Sequence, residues 1–581
     1  MDEDYNYLIE KYKNYELEDG LSSLKESNKV LYDDKFYLNN ENLNLKKENH
    51  KLFKENQHFK STKAYKIWRK YALLKDKLFS NRNNKEISNK NDFNINSNYK
   101  PVKNLKKIKV AIIADQFTYD SFKYEFEAIL INPNDWEEKF KFFQPDLFFC
   151  ESTWQGIGTK ENKEPWFNKV IKLYNIDGEN RKELLRILNY CKDNKIPSIF
   201  WNKEDPIHYR TDDWSFADTA SKFDYIFTSS EESIDSYKKD YNHNNVYSLM
   251  FAAQPKLFNP LNLSRETIKY PVFAGTYYGD SHPERTKLMN MIFDKIIEQW
   301  GNLIIFDRNY YRKLFAYPEK YQKYVHPAIE YEKTASLYKK MKWGLNFNIV
   351  TESNTMFARR IYELAITNTL ILSNYSKAVE RLFGDNIFFF DNIQKLPDIN
   401  GSYEEKRMNN LYNVLKNHTY TERFKQILDT IGYPYIEDKN DITVIFKLDS
   451  LKKLEASIDL YNKIDYSNKK LNIVFNDKSI DITNLKLKYP EIDDVSIENN
   501  DFHDYFNNIS TEFLIILDKE IGSDFISKGI LHYKYLNKRV SISEGLNKFT
   551  LGIENDINNK IINKINYPNL YENSSIDVYY I

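Results

Sequence analysis

Five stretches of the sequence gather residue types that can do chemistry. In Trp201-Asn202-Lys203-Glu204-Asp205-Pro206-Ile207-His208, two carboxylates, a proline and an imidazole follow an apolar run. Glu204, Asp205 and His208 suit acid/base work or contacts to hydroxyl groups. The same residues also suit a structural part, with Asp205 opening a helix before Pro206 and His208 as a packed ring. A second stretch runs from Asn346 to Glu363 and holds Asn348, Thr355 and Met356 before the adjacent Arg359 and Arg360. Guanidinium groups suit a diphosphate, and a carboxylate such as Glu363 suits ribose hydroxyls. The plainer reading is an i,i+3 Arg360–Glu363 surface pair. A third, Val272-Phe273-Ala274-Gly275-Thr276-Tyr277-Tyr278-Gly279, leads into Pro283-Glu284-Arg285. A small turn there lets backbone N–H groups approach a phosphate at a helix N-terminus. Lastly, Asp115 and the pair Glu151 and Trp154 stand just beyond two further apolar runs.

These residues need a frame that brings distant segments together. From Lys107 the chain alternates short apolar runs with helical stretches: Val110–Ala114, Asp146–Glu151, Ser198–Trp201, Tyr225–Thr228 and Val246–Phe251. A second series follows at Val272–Ala274, Leu303–Phe306, Gly344–Asn348, Leu370–Ser373 and Ile387–Phe390. Near-continuous apolar runs suit parallel strands covered by helices on both faces. The chain therefore reads as α/β, with two doubly wound domains, 107–262 and 263–435, divided near Asn259-Pro260. In such sheets ligands sit at the carboxyl ends of the strands, which is where the stretches above fall. Residues 404–431 read as one amphipathic helical segment. A smaller α/β unit, 436–581, follows, with strands at Val444–Phe446, Leu471–Phe475 and Phe513–Leu517.

Leu24, Leu31, Leu38, Leu45, Leu52 and Phe59 recur every seven residues, with Asn28, Asn42, Asn49 and Asn56 in the companion positions. That pattern suits a two-stranded coiled coil over 1–60 and hence a homodimer, or else a single solvated helix. Residues 61–80 form a basic, aromatic helix around Trp68 and Tyr71. It reads either as a peripheral contact with an anionic membrane surface or as a helix packed on the neighbouring domain. Residues 81–106 read as a linker. Lys plus Arg equals Asp plus Glu at 84 each over 581 residues, which argues against nucleic-acid binding. The acidic start Met1-Asp2-Glu3-Asp4, two cysteines and no long apolar run suggest a reduced, cytoplasmic protein. No Cys/His spacing suggests a metal centre.

Taken in order, these motifs resemble the CgeB-like (spore maturation) bacterial glycosyltransferases. The resemblance runs through Glu151-Ser152-Thr153-Trp154, the Trp201-to-His208 run, Phe223-Asp224-Tyr225-Ile226-Phe227-Thr228 and Phe251-Ala252-Ala253-Gln254-Pro255. It continues through Phe273-Ala274-Gly275-Thr276-Tyr277, Ile305-Phe306-Asp307-Arg308, the Asn346-to-Glu363 run and His418-Thr419-Tyr420-Thr421-Glu422-Arg423. It implies a GT-B fold and transfer of a sugar, from a UDP-sugar first among nucleotide donors, to a bacterial cell-surface glycan such as a teichoic acid, or to a protein. No separate cofactor or metal is implied, and retention of configuration is the expected outcome. On that reading Gly275, Thr276, Arg308, Asn348, Thr355, Met356, Arg359, Arg360 and Glu363 bind the donor. Asp205, His208 and Glu204 are the catalytic candidates, and Asp115, Glu151 and Trp154 lie on the acceptor side. The enzyme would work in the cytoplasm at the inner face of the membrane.

One departure bears on the last unit. Longer relatives carry a C-terminal GT-A-like domain with an aspartate run for metal and donor. The matching place here is Leu517-Asp518-Lys519-Glu520-Ile521-Gly522, where a lysine competes with any cation. The unit reads as degenerate and non-catalytic. The alternative for the whole chain is a non-enzymatic coiled-coil scaffold or glycan-binding protein on the same fold.

Overall fold

The computed structural model describes residues 102–581 apart from 160–161, 264–267, 312–314, 392–393, 498–504, 507, 547 and 567–574. The expected coiled coil, basic helix and nearly all of the linker lie outside the described residues. Everything described belongs to one unit, Lys100–Ile581.

The first sheet is built from β1 (Lys109–Ile113), β2 (Glu127–Leu130), β3 (Leu147–Glu151), β4 (Ser198–Asn202), β5 (Tyr225–Thr228) and β6 (Val246–Ser248). Its order is β2-β1-β3-β4-β5-β6, and every pairing is parallel. The apolar runs are continuous because alternate residues serve opposite faces. Ala111, Ile113, Phe148, Cys150 and Phe200 enter one core, whereas Val110, Ile112, Leu147, Phe149 and Trp201 enter another. Helix α1 (Gln116–Phe122) leaves the end of β1 and lies over the second of these cores.

The second sheet comprises β7 (Val272–Gly275), β8 (Ile304–Asp307), β9 (Val325–His326), β10 (Trp343–Asn346), β11 (Leu370–Ser373) and β12 (Phe388–Phe389). Its order is β9-β8-β7-β10-β11-β12, again wholly parallel. The chain starts in the middle and winds outward both ways, so β7 and β10 flank the switch point where ligands gather. Helix α2 (Pro283–Trp300) begins with its proline in the first turn and stops at Gly301, whose φ is +83°. Helix α3 (Arg360–Ile366) packs tightly on β10 because Gly344 has no side chain. A Cβ there would meet Leu364 Cδ2 at 2.6 Å.

Residues 404–431 form two helices rather than one segment, α4 (Glu404–Asn417) and α5 (Tyr420–Ile431), separated at His418–Thr419. Helix α5 crosses back to the first sheet, although its place in the sequence groups it with the second. Tyr420, Phe424, Ile427 and Leu428 join the core of Val110 and Trp201, and the Tyr420 ring lies 4.8 Å from Phe122. Two doubly wound sheets with a returning helix make the GT-B arrangement that the resemblance implied.

The last unit has β13 (Ile442–Leu448), β14 (Lys469–Phe475), β15 (Asp494–Ile497), β16 (Phe513–Leu517) and β17 (Ile562–Asn563) in the order β15-β14-β13-β16-β17. Only the β16–β17 pair is antiparallel. Its helix α6 (Phe525–His532) faces α4, and Leu411, Val414 and Leu415 share one core with Phe525 and Ile526. Buried His532 contacts the Tyr535 hydroxyl through Nδ1 and the Tyr412 hydroxyl, 3.1 Å away, through Nε2. At the end of β16, Asp518 accepts a hydrogen bond from Asn559 and Glu520 pairs with Lys463 at 3.0 Å.

Candidate functional site

The strand ends of the second sheet carry one side of the site. Strand β7 ends at Gly275, and β8 ends at Asp307 followed by Arg308, whose N–H donates to the Gly275 carbonyl (3.3 Å). Thr276 is buried and accepts a hydrogen bond from Asn309 Nδ2 at 3.3 Å. From β10 the chain enters a polar loop ordered by its own amides. Asn348 Oδ1 accepts from Asn346 Nδ2 and from the Ala358 N–H, both at 3.0 Å, and so fixes the entry to α3.

Helix α3 and the residue before it deliver the arginines. Arg360 donates to the Ala274 carbonyl, and its guanidinium carbon lies 5.1 Å from the Phe273 ring centre. The space beside it depends on Gly275, since a Cβ there would approach Arg360 Nη2 to 3.0 Å and Phe273 to 2.7 Å. Arg359, rather than Arg360, pairs with Glu363 (Nε to Oε1 3.3 Å), because the i,i+4 geometry brings them onto one face. Its guanidinium lies 3.3 Å from the ring centre of Phe117 on α1, so it is a cation–π contact between the two sheets' domains. Buried Glu363 also accepts from the Tyr331 hydroxyl at 3.3 Å.

Arg285 on α2 completes a group of four guanidiniums. Burial, followed by the nearby Arg360 charge, pushes its pKa down to about 10. Arg308 is likewise lowered by desolvation and by Arg359 and Arg360. Among the described residues only Glu363 pairs with any of the four, through Arg359. Positive charge therefore accumulates at the switch point of the second sheet, beside Gly275.

The first sheet presents a different chemistry. Asp115, at the end of β1, accepts from the Thr153 hydroxyl and from the N–H groups of Trp154 (3.1 Å), Gln155 (3.2 Å) and Gly156 (2.8 Å). Fully buried Glu151 accepts from the Asp115 N–H and the Thr118 hydroxyl. Lys203 bridges both carboxylates, 3.5 Å from Asp115 and 3.1 Å from Glu151. Burial raises the Glu151 pKa despite Lys203, whereas at Asp115 Lys203 and the donors outweigh burial and lower it. Asp115 and Glu151 thus hold the loop that carries Trp154. Trp154 itself is 40 % exposed, with its ring edge-on to His208 at 6.0 Å.

The Glu204-to-His208 run divides between two environments. Asp205 has no exposure and accepts from Asn202 Nδ2 (2.8 Å), Thr228 Oγ1 (2.7 Å) and the Tyr237 hydroxyl (3.0 Å). Burial raises its pKa to about 7. Its place is inside the β4–β5 corner, where it props the turn rather than meeting a ligand. Glu204 is half-buried and its carbonyl accepts from the His208 N–H at 2.9 Å. His208 is half-buried between Trp154 and Trp214.

Thr355 and Met356 also stand apart from the arginines. Thr355 Oγ1 donates to the Ser229 carbonyl and accepts from the Glu231 N–H, both at 2.9 Å, so it ties the two domains together. Glu232 completes that contact by accepting from Ser353 Oγ (2.7 Å) and the Asn354 N–H (2.6 Å). The Met356 N–H donates to Ser353 Oγ at 3.0 Å. The structure thus gathers Gly275, Thr276, Arg308, Arg359, Arg360 and Glu363 at one place, packs His208 against Trp154 in the first domain, and uses Asn348, Thr355, Asp205, Asp115 and Glu151 to hold the loops. Sequence reasoning singled out neither the Glu231–Glu232 contact nor Phe117 under Arg359. No His, Cys, Asp and Glu group able to hold a metal ion occurs among the described residues. Nor is any of their helices long and apolar enough to cross a membrane.

Comparison with known proteins adds a family signal over this same region. Three solved structures align weakly. Anabaena HepE in complex with UDP and glucose is 11% identical over 56% of this chain and 91% of its own, with a TM-score of 0.35. The lipopolysaccharide outer core galactosyltransferase WaaB is 10% identical over 56% of this chain and 99% of its own, with a TM-score of 0.31. An α1,3-fucosyltransferase with GDP-fucose is 12% identical over 60% of this chain and 93% of its own, with a TM-score of 0.26. Scores this low leave the architecture to be read from the strand order. No curated protein matches the chain. Residues 289–429, which span β8 to β12 and include Arg308, Arg359, Arg360 and Glu363, match the family model described as "Glycosyl transferase-like".

Proposed function

We propose that the chain is a glycosyltransferase that moves a hexose from a nucleoside diphosphate sugar, a UDP-sugar first among them, to a bacterial cell-surface glycan or protein. The observation that carries this reading is the convergence of Arg285, Arg308, Arg359 and Arg360 beside Gly275, with Glu363 the only described carboxylate that pairs with any of them. Departure of a nucleoside diphosphate places negative charge on its phosphates as the sugar–oxygen bond breaks. Guanidiniums fixed beforehand stabilise that charge without reorganising, which lowers the barrier to transfer. Glu363 is suited to accept hydrogen bonds from the ribose hydroxyls, and Arg359 holds it in place from one side. Trp154 and His208 offer the acceptor an aromatic face and an imidazole on the opposite wall.

Arginine charge in place of a divalent ion, and retention of configuration, complete the reading. So do a dimer through residues 1–60, membrane contact through 61–80 and a cytoplasmic site of action. The last unit serves acceptor binding or assembly rather than turnover. The test is release of nucleoside diphosphate from UDP-, GDP-, ADP- and CDP-sugars, compared with Glu363→Ala. Turnover of one donor that falls at least tenfold in the variant supports transfer chemistry. Folded protein that turns over none of them moves the account to a non-catalytic glycan-binding scaffold.

A further inference from the structure

The buried apolar clusters sort the described residues into two bodies. One cluster runs from Val272 and Ile361 of the second domain through Leu411 and Val414 of α4 to Val444 and Phe525 of the last unit. The clusters of the first sheet take in Tyr420 and Phe424 of α5 but no residue after Tyr435. The chain crosses between the bodies after β6 and again at His418–Thr419, and these two crossings lie side by side. The Ala253 N–H donates to the His418 carbonyl (2.9 Å), and the Tyr420 N–H donates to the Ala253 carbonyl (3.1 Å). The last unit reaches both crossings. Its Tyr535 carbonyl accepts from Lys256 Nζ at 3.3 Å, and its Lys534 Nζ donates to Glu422 Oε1 (3.0 Å) and Thr419 Oγ1 (3.4 Å). Beside these contacts lies a cavity of about 160 Å³, lined by Glu125, Gln254, Thr421, Tyr533 and Lys534 among others. Close-packed apolar interfaces resist sliding, whereas a polar seam with open space beside it can change its angle. Burial lowers the Lys534 pKa against the pull of Glu422, so the pair sits in a partly dry seam.

We propose that the last unit clamps this hinge and that Lys534 is the positioning residue of the clamp: by holding Glu422 and Thr419 it fixes the angle between the two sheets' domains. The role goes beyond acceptor binding or assembly, and it holds whether or not the arginines bind a nucleoside diphosphate. Without Lys534 the shared apolar core still joins the last unit to α4, and α5 stays with the first sheet. What loosens is the seam between them. Thr355 and Glu232 tie the same two bodies at the strand ends, so the loss widens the range of angles without parting the domains.

The experiment measures distances between two spin labels by double electron–electron resonance on the full chain, without any ligand. The labels go on Phe142→Cys in the first domain, where Phe142 is 85% exposed, and on Glu298→Cys on α2, also exposed. The native Cys150 and Cys191 are buried and stay unlabelled. Dilution with unlabelled chain confines the signal to distances within one molecule. Lys534→Met leaves Glu422 with Lys425 at 3.8 Å, and Glu422→Ala breaks the pair from the other side should Lys534→Met not fold. The distance distribution is expected to be at least about twofold broader in either variant, no broader still when the two are combined, and unchanged in Lys534→Arg. A parental width in Lys534→Met and Glu422→Ala would overturn the clamp, even where the melting temperature falls, because a residue that served only the stability of the last unit would behave in that way. Broadening in only one of two folded variants would overturn the role of the pair.

Discussion

Replacing Asp205 by asparagine is expected to change how the stability of the first domain depends on pH. The Asp205 carboxyl has an ordinary value of 3.8 and is raised to about 7 by burial, against the opposing pull of hydrogen bonds from Thr228 and Tyr237. The folded state therefore keeps a proton that the unfolded chain releases between pH 4 and 7. Stability from this group is fully present below pH 3.8, declines as pH rises, and is lost above about pH 7. At 1.36 kcal/mol for each tenfold change in proton affinity, the ceiling is about 4 kcal/mol. Asparagine fits the same pocket, because Oδ1 still accepts from Asn202 and the Thr228 and Tyr237 hydroxyls can turn to accept from the new amide. Buried His418 and His532, whose pKa values burial lowers to about 3, have the opposite pH dependence, so only the difference between variant and parent isolates Asp205. Urea unfolding followed by tryptophan fluorescence reports chiefly on this domain, which holds Trp136, Trp154, Trp166, Trp201 and Trp214. Asp205→Asn is expected to match the parent near pH 4 and to exceed its stability by up to about 4 kcal/mol at pH 8. A difference that does not vary with pH would refute the reasoning.

Other parts of the account are open to equally direct tests. Gly275→Ala drives a Cβ toward Arg360 and Phe273, so nucleoside diphosphate affinity is expected to fall at least about tenfold in titration, and unchanged affinity would remove Gly275 from the site. Glu232→Ala leaves Ser353 Oγ and the Asn354 N–H without their acceptor, a loss of about 1–3 kcal/mol from the contact between domains. Small-angle scattering is expected to show a larger radius of gyration; an unaltered profile would show that Glu232 is not needed to hold the domains together. For His532, stability is present above the unfolded value of 6.5 and is lost as pH falls toward about 3. Hydrogen exchange of α6 is expected to accelerate between pH 6 and 4 relative to His532→Gln, and identical pH dependence would contradict a neutral buried ring.

Much of the fold was legible because buried parallel strands leave a plain mark: Leu147–Glu151 and Leu370–Ser373 are unbroken runs with helical stretches between them. The grouping of Arg359, Arg360 and Glu363 was legible for a related reason, since strand, loop and helix follow one another within a few residues. Which arginine meets Glu363 was not, because the pairing depends on where α3 begins. The return of α5 to the first sheet was hidden by its adjacency to α4; only the fit of Tyr420 and Phe424 against Phe122 and Phe126 decides it. Asp205 illustrates a deeper limit. Its type and place fit a catalytic group, and only the depth of the β4–β5 corner shows that it faces Thr228 and Tyr237. Arg285 is the converse, a residue that resembles a surface cation until its burial against Thr276 and Tyr277 is known.

The central claim is that the arginines beside Gly275 hold a nucleoside diphosphate. Its most direct test is the thermal stability of the full chain with UDP, GDP, CDP and ADP, set beside Arg360→Ala and Glu363→Ala. At about 100 times its Kd a ligand stabilises the domain it binds by about 2.7 kcal/mol. The account predicts a clear rise in melting temperature with one of the four, abolished in both variants. The absence of any rise in folded protein, or a rise that both variants retain in full, would contradict it.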